Sequence, residues 1–109
     1  MNKIESKIFE FTVFEIFSKL QIRVIKNEEN KIDEVKIIKI REDGRYLPFA
    51  TISQENFFDE IEEMEFVVNN WQTYEELLDF VIQDGTFFID TGKRVASKYG
   101  TSPIWKICF

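Results

Sequence analysis

Histidine is absent from this chain of 109 residues, and cysteine occurs once, at Cys108. Without histidine the commonest general base and a leading zinc ligand are missing. A lone thiol cannot close an internal disulfide and has no histidine to activate it, so nothing indicates an oxidising compartment or a thiol enzyme. Cys108 is read as a small apolar residue, with a reactive thiol as the alternative. No Asp-x-Asp-x-Asp-Gly run offers a calcium loop. There are only two prolines and four glycines, and no linker-like tract splits the chain, so residues 1–109 are expected to form one domain. Lys and Glu interrupt the apolar residues between Met1 and Glu15, so neither a signal peptide nor a membrane span is expected there. A soluble, cytoplasmic protein without cofactor or metal follows as the expectation.

One further absence organises the rest. From Ser53 to Asp90 there is no Lys or Arg, while the segment holds eleven carboxylates and is −11 by itself. The whole chain is −6, so the remainder sums to +5. A net negative chain disfavours direct contact with nucleic acid or anionic lipid.

Between Lys3 and Leu20 two periods compete. Ile4, Ile8, Phe11, Phe14 and Phe17 have helical spacing, whereas Phe9, Phe11 and Val13 alternate with Glu10 and Thr12 as in a strand. A largely buried N-terminal helix is the reading taken. Gln21 to Lys26 is a short strand, and Asn27 to Glu34 a loop. Val35 to Arg41 is a second strand carrying Lys36, Lys39 and Arg41. Asp43-Gly44 predicts a hairpin turn, because both central turn residues need positive φ. Tyr46 to Ile52 returns as a third strand; Pro48 lacks a ladder donor and marks an edge or a bulge.

Ser53 is a candidate N-cap for an acidic helix ending near Met64, with Phe57, Phe58, Ile61 and Met64 on one face and Asp59, Glu62 and Glu63 on the other. Glu65 to Val68 is a short extended piece. Thr73 and Glu76 have capping-box spacing. Tyr74, Leu77, Leu78, Val81 and Ile82 form the stripe of a second acidic helix, which Asp84-Gly85 ends. Thr86 to Asp90 and Ile104 to Phe109 are strands around a loop or short helix, 91–101. The fold class expected is α+β: N-terminal helix, three-stranded antiparallel meander, two acidic amphipathic helices and a C-terminal strand pair.

Thr91-Gly92-Lys93-Arg94 fails as a phosphate loop, because no glycine stands five residues before Gly92 and Arg94 replaces the Ser/Thr. Lys93, Arg94 and Lys98 either touch a phosphate or pair with local acids. Paired carboxylates hydrolyse glycosides in a cleft, which so short a chain can hardly wall, and no enzymatic activity is expected. Two readings account for the acidic helices. One is a solvated face that keeps the chain soluble. The other is a negative surface that meets a basic partner and attracts it over about 8–10 Å at physiological salt. The candidate partner-binding residues are Glu55, Asp59, Glu62, Glu63, Glu75, Glu76 and Asp79. Trp71 is either an exposed anchor beside them or a residue closing the core.

In size, charge and lack of catalytic residue types, the chain resembles the small acidic inhibitors that phages encode against host nucleic-acid machinery, anti-CRISPR proteins among them. It is similar in the same way to immunity proteins that neutralise nuclease toxins. The likeness is of general character, without a shared motif, and it carries over no residue role. It implies an inhibitor that occludes a basic, nucleic-acid-binding protein by mimicking the nucleic acid. The alternative is an assembly subunit that dimerises through an exposed edge of the last strand.

Overall fold

The computed structural model describes residues 2–13, 15–54, 61–70, 75–97 and 100–109, with the side chains of 2, 13, 84 and 97 set aside. Strand β3 (Ile16–Lys26) is the spine of the first sheet. Its even positions Ser18, Leu20, Ile22, Val24 and Lys26 are buried and its odd positions face outward. That alternation is what a strand with one covered face requires.

Two short strands share one edge of β3. β1 (Asn2–Glu5) pairs with its second half and β2 (Phe9–Val13) with its first. Ser6 keeps the edge continuous across the break: its amide donates to the Ile22 carbonyl and its hydroxyl accepts the Ile22 amide, each at 2.9 Å. The N-terminal helix expected over residues 3–20 is therefore replaced by strands. Phe9 and Phe11 point into the core while Glu10 and Thr12 are exposed. A period of two buries those rings on one face, whereas a helix would have spread the apolar residues all round.

The other edge of β3 carries the expected meander, with β4 (Ile32–Ile40) and β5 (Tyr46–Thr51) both antiparallel. Gly44 takes φ +82° in the turn between them, where a side chain would be strained. β5 is an edge strand, and Phe49 is the extra residue between Ala50 opposite Ile37 and Pro48 opposite Ile38. Pro48 thus sits at both an edge and a bulge.

The second sheet has the order β6 (Glu65–Val67), β8 (Gly100–Ile107), β7 (Phe88–Ser97), all antiparallel. Residues 52–54 stitch the two sheets together. The Ile52 amide donates to the Val35 carbonyl, Ser53 bridges Val68, and the Gln54 amide donates to the Val67 carbonyl. On the far side the Val68 amide donates to the Pro103 carbonyl. The Ser53 hydroxyl, expected to cap a helix, instead accepts the buried Val35 amide at 2.9 Å. The first acidic helix is accordingly not found in the described part of its range. Ser53 and Gln54 are extended, and Ile61–Met64 turn directly into β6. Residues 55–60 lie outside the described ones.

One α-helix is described, α1 (Glu75–Ile82), followed by a 3-10 turn at Gln83–Gly85. It buries Leu77, Leu78 and Val81. Phe80 packs on Phe9 and Phe11, with ring centroids 5.8 and 5.2 Å apart. Its expected cap at Thr73 is outside the described residues. A single apolar cluster runs from Leu20, Ile22 and Val24 of the first sheet to Phe66, Phe88 and Trp105 of the second. The segment 91–101, expected as a loop or short helix, is mostly strand: β7 bulges at residues 91–93 and continues to Ser97. Among the described residues the fold is two antiparallel sheets with one α-helix, and the α+β expectation is overturned. None of the described helices is long and apolar enough to cross a membrane.

Candidate functional site

Among the described residues the acidic segment forms one α-helix, α1, and not the two consecutive acidic helices expected. Of its candidate residues, Glu75, Glu76 and Asp79 stand on the exposed side of α1, opposite Leu77, Leu78 and Val81. Glu62 and Glu63 are exposed at the turn that enters β6. Glu55, Asp59 and Trp71 lie outside the described residues.

The helix explains part of this arrangement by itself. Glu75 and Glu76 occupy the first turn, where negative charge complements the helix dipole by about 0.3–1 kcal/mol each. Asp79 gains nothing from the dipole. It lies four residues after Glu75 and three after Glu76, and such like-charge pairs are unfavourable by roughly 0.2–0.5 kcal/mol. Among the described residues no Lys or Arg makes an ion pair with these three carboxylates.

Two further acids of the segment, Glu65 and Asp90, are each paired with a cation. Glu65 is nearly buried in β6, and its Oε1 accepts from Lys93 Nζ at 2.6 Å and from the Glu62 amide at 2.9 Å. Burial alone would push its carboxyl up, but the hydrogen bonds from Lys93 and the Glu62 amide, with the charges of Lys93 and Lys106, hold it below its ordinary value. Lys93 is raised in turn, first by its hydrogen bond to Glu65. Asp90 receives both terminal nitrogens of Arg94, at 2.9 and 3.0 Å, and also the Gly92 amide. Burial opposes its charge too, yet these donors hold it below the ordinary value. The bulge Thr91-Gly92-Lys93 sets up both pairs. The Thr91 hydroxyl donates to the Ile104 carbonyl, and Gly92 adopts φ +84°. Lys93 and Arg94 are thus taken up by local acids, while Lys98 is outside the described residues. Glu63 accepts a hydrogen bond from the Asn30 side chain across the β3–β4 loop.

The last strand is not an edge. β8 lies between β6 and β7, and beyond β6 the Pro103 carbonyl accepts the Val68 amide. The edge on which the dimer reading rested is therefore occupied. Cys108 is exposed and free, its thiol within 3.8 Å of the Lys106 carbonyl. No group of three His, Cys, Asp or Glu able to hold a metal occurs among the described residues.

The sequence reading missed a second charged surface. Where β3 and β4 stop pairing, a depression of about 510 Å³ is lined by Ile8, Phe17, Lys19, Lys39 and Arg41, with Glu42 as its one acid. In the sequence Lys39 and Arg41 stand out only as cations interleaved in a strand, and Phe17 and Lys19 have strand spacing. Assigning residues 3–20 to a helix hid that these groups meet.

No protein-family model, curated protein or solved structure matches this chain.

Proposed function

We propose that the chain is a non-enzymatic, cytoplasmic binding protein that inhibits a basic, nucleic-acid-binding protein by occupying its phosphate-binding surface. One observation carries this reading. Glu75, Glu76 and Asp79 are displayed together on α1 without a cationic partner among the described residues, whereas Glu65 and Asp90 each have one. Local pairing would have been simple to arrange for α1 as well, and Asp79 has no stabilising role in the helix. A cationic groove on a partner would supply the missing counter-charges and steer association. Glu55, Asp59, Glu62, Glu63 and Trp71 extend the proposed contact along the sequence. Nucleic acid itself is excluded as a ligand of this face by charge.

Affinity capture from a cell lysate on immobilised protein, at low and high salt, tests the reading. The wild type should retain a basic protein that elutes as salt rises, that DNA displaces, and whose nucleic-acid activity falls when the chain is added. The Glu75→Lys/Asp79→Lys variant should lose it. Retention that ignores both salt and charge reversal defeats the proposal.

A further inference from the structure

The second charged surface has a construction of its own. The β3–β4 ladder begins with Leu20 opposite Lys39, so Ile16 to Lys19 pair only with β2. The side of β3 turned towards β4 therefore has no strand partner among the described residues over those four positions. Apolar side chains gather at this open end, and Ile8, Ile16 and Phe17 are 53%, 59% and 55% exposed. Three cations surround them. Lys19 and Lys39 make no ion pair among the described residues, although Glu10 stands opposite Lys19 in the β2 register. Among the described residues Arg41 makes an ion pair with Asp43 alone, at 4.0 Å.

We propose that this depression docks an extended acidic segment of another protein, which adds as a strand to Ile16–Lys19 and sets its carboxylates against Lys19, Lys39 and Arg41. The unpaired strand alternates amide donors with carbonyl acceptors. A phosphate uses only donors, whereas a peptide backbone uses both, so the edge selects a peptide over a nucleotide. Phe17 and Ile8 supply the apolar contact that alternate side chains of such a segment would take. Cations also guard open edges against self-pairing. A guarded edge has no use for an exposed Phe and two exposed Ile, and in an acidic chain carboxylates would guard it equally well. The local sign, opposite to that of the chain, selects an acidic occupant.

The probe is a labelled seven-residue peptide alternating glutamate and valine, titrated by fluorescence anisotropy into the full chain. It should bind, and binding should weaken as salt rises. Lys39→Glu/Arg41→Glu should weaken it about tenfold or more, Lys39→Gln/Arg41→Gln by a smaller step, and methylation of alternate peptide nitrogens about tenfold or more. Circular dichroism verifies that both variants fold. The Glu75→Lys/Asp79→Lys variant should bind the peptide like the wild type, which separates this site from the proposed inhibitory face. Several outcomes would overturn the proposal. They are no binding at millimolar peptide, equal binding of the methylated or lysine-substituted peptide, and more efficient displacement by oligothymidylate than by unlabelled peptide. Self-association of the chain that disappears in the charge variants would assign the edge to a second copy and overturn it too.

Discussion

Lys93 Nζ lies 2.6 Å from Glu65 Oε1, tying the bulge of β7 to the short strand β6 across the intervening strand β8. This contact joins the acidic segment to residues 91–109, which hold four cations and no acid. It removes Glu65 from any partner-facing surface, whereas Glu75, Glu76 and Asp79 on α1 have no ion pair among the described residues.

The pair has a pH signature. Glu65 titrates below its ordinary value of 4.5 in the folded chain. Its contribution to stability is therefore fully present above that value and is lost as pH falls through the lower folded one. Lys93 titrates above 10.5, so its contribution is present below that value and lost as pH rises through the higher folded one. The urea midpoint of wild type should exceed that of Lys93→Met at neutral pH, and the gap should close in acid. Because Lys93 is close to half exposed, solvent screens the attraction and the gap should be modest. A gap that persists unchanged well below pH 4.5 would show that the contact does not act through charge.

On α1, stability and binding should separate. Asp79→Lys converts the Glu75–Asp79 repulsion into an attractive pair with Glu first, which favours the helix by roughly 0.2–0.5 kcal/mol. Thermal unfolding should show equal or slightly higher stability, while capture of a basic partner falls. A variant that unfolds more easily would mean that Asp79 has a structural task.

Ser53→Ala should destabilise by about 1–3 kcal/mol, because it leaves the buried Val35 amide without its acceptor. Chemical denaturation measures this directly. Native-state hydrogen exchange should also show the Val35 amide losing protection. A helix-cap role would leave that amide untouched.

Leu77→Ala should cost about 2–5 kcal/mol, since Leu77 is wholly buried where α1 meets the core. Glu76→Ala, its exposed neighbour, should stay within about 0.5 kcal/mol. Comparable losses from both would contradict the orientation of the helix.

Local chemistry made several parts legible. The position of the Asp43-Gly44 turn (with positive φ at Gly44 but not at Asp43), the edge position of Pro48, the stripe Leu77, Leu78 and Val81, and Gly85 after the helix were all readable, because each depends on neighbours a few residues away. The N-terminus was misread because Ile4, Ile8 and Phe11 satisfy a helical period by accident. The alternation that mattered, Phe9 and Phe11 against Glu10 and Thr12, spans only a few residues. Ser53 was misread for another reason. A hydroxyl before an acidic run fits a cap, and nothing local reveals that the Val35 amide, eighteen residues earlier, competes for it.

The candidate site divides in the same way. That Glu75, Glu76 and Asp79 share a solvent face follows from helical spacing alone. That Glu65 and Asp90 are cancelled, and that Lys19, Lys39 and Arg41 gather beside Phe17, depends on which strands pair and where pairing stops.

The sequence by itself determined the total charge, its concentration between Ser53 and Asp90, the lack of histidine, and the turns, since these depend on composition or on adjacent residues. The tertiary structure decided that the N-terminus is strand and that half-exposed Lys93 cancels nearly buried Glu65. It also decided that a length of β3 with one side unpaired among the described residues opens among cations. Each of these is fixed by long-range strand register, in which residues distant along the chain compete for the same hydrogen bonds and the same buried face.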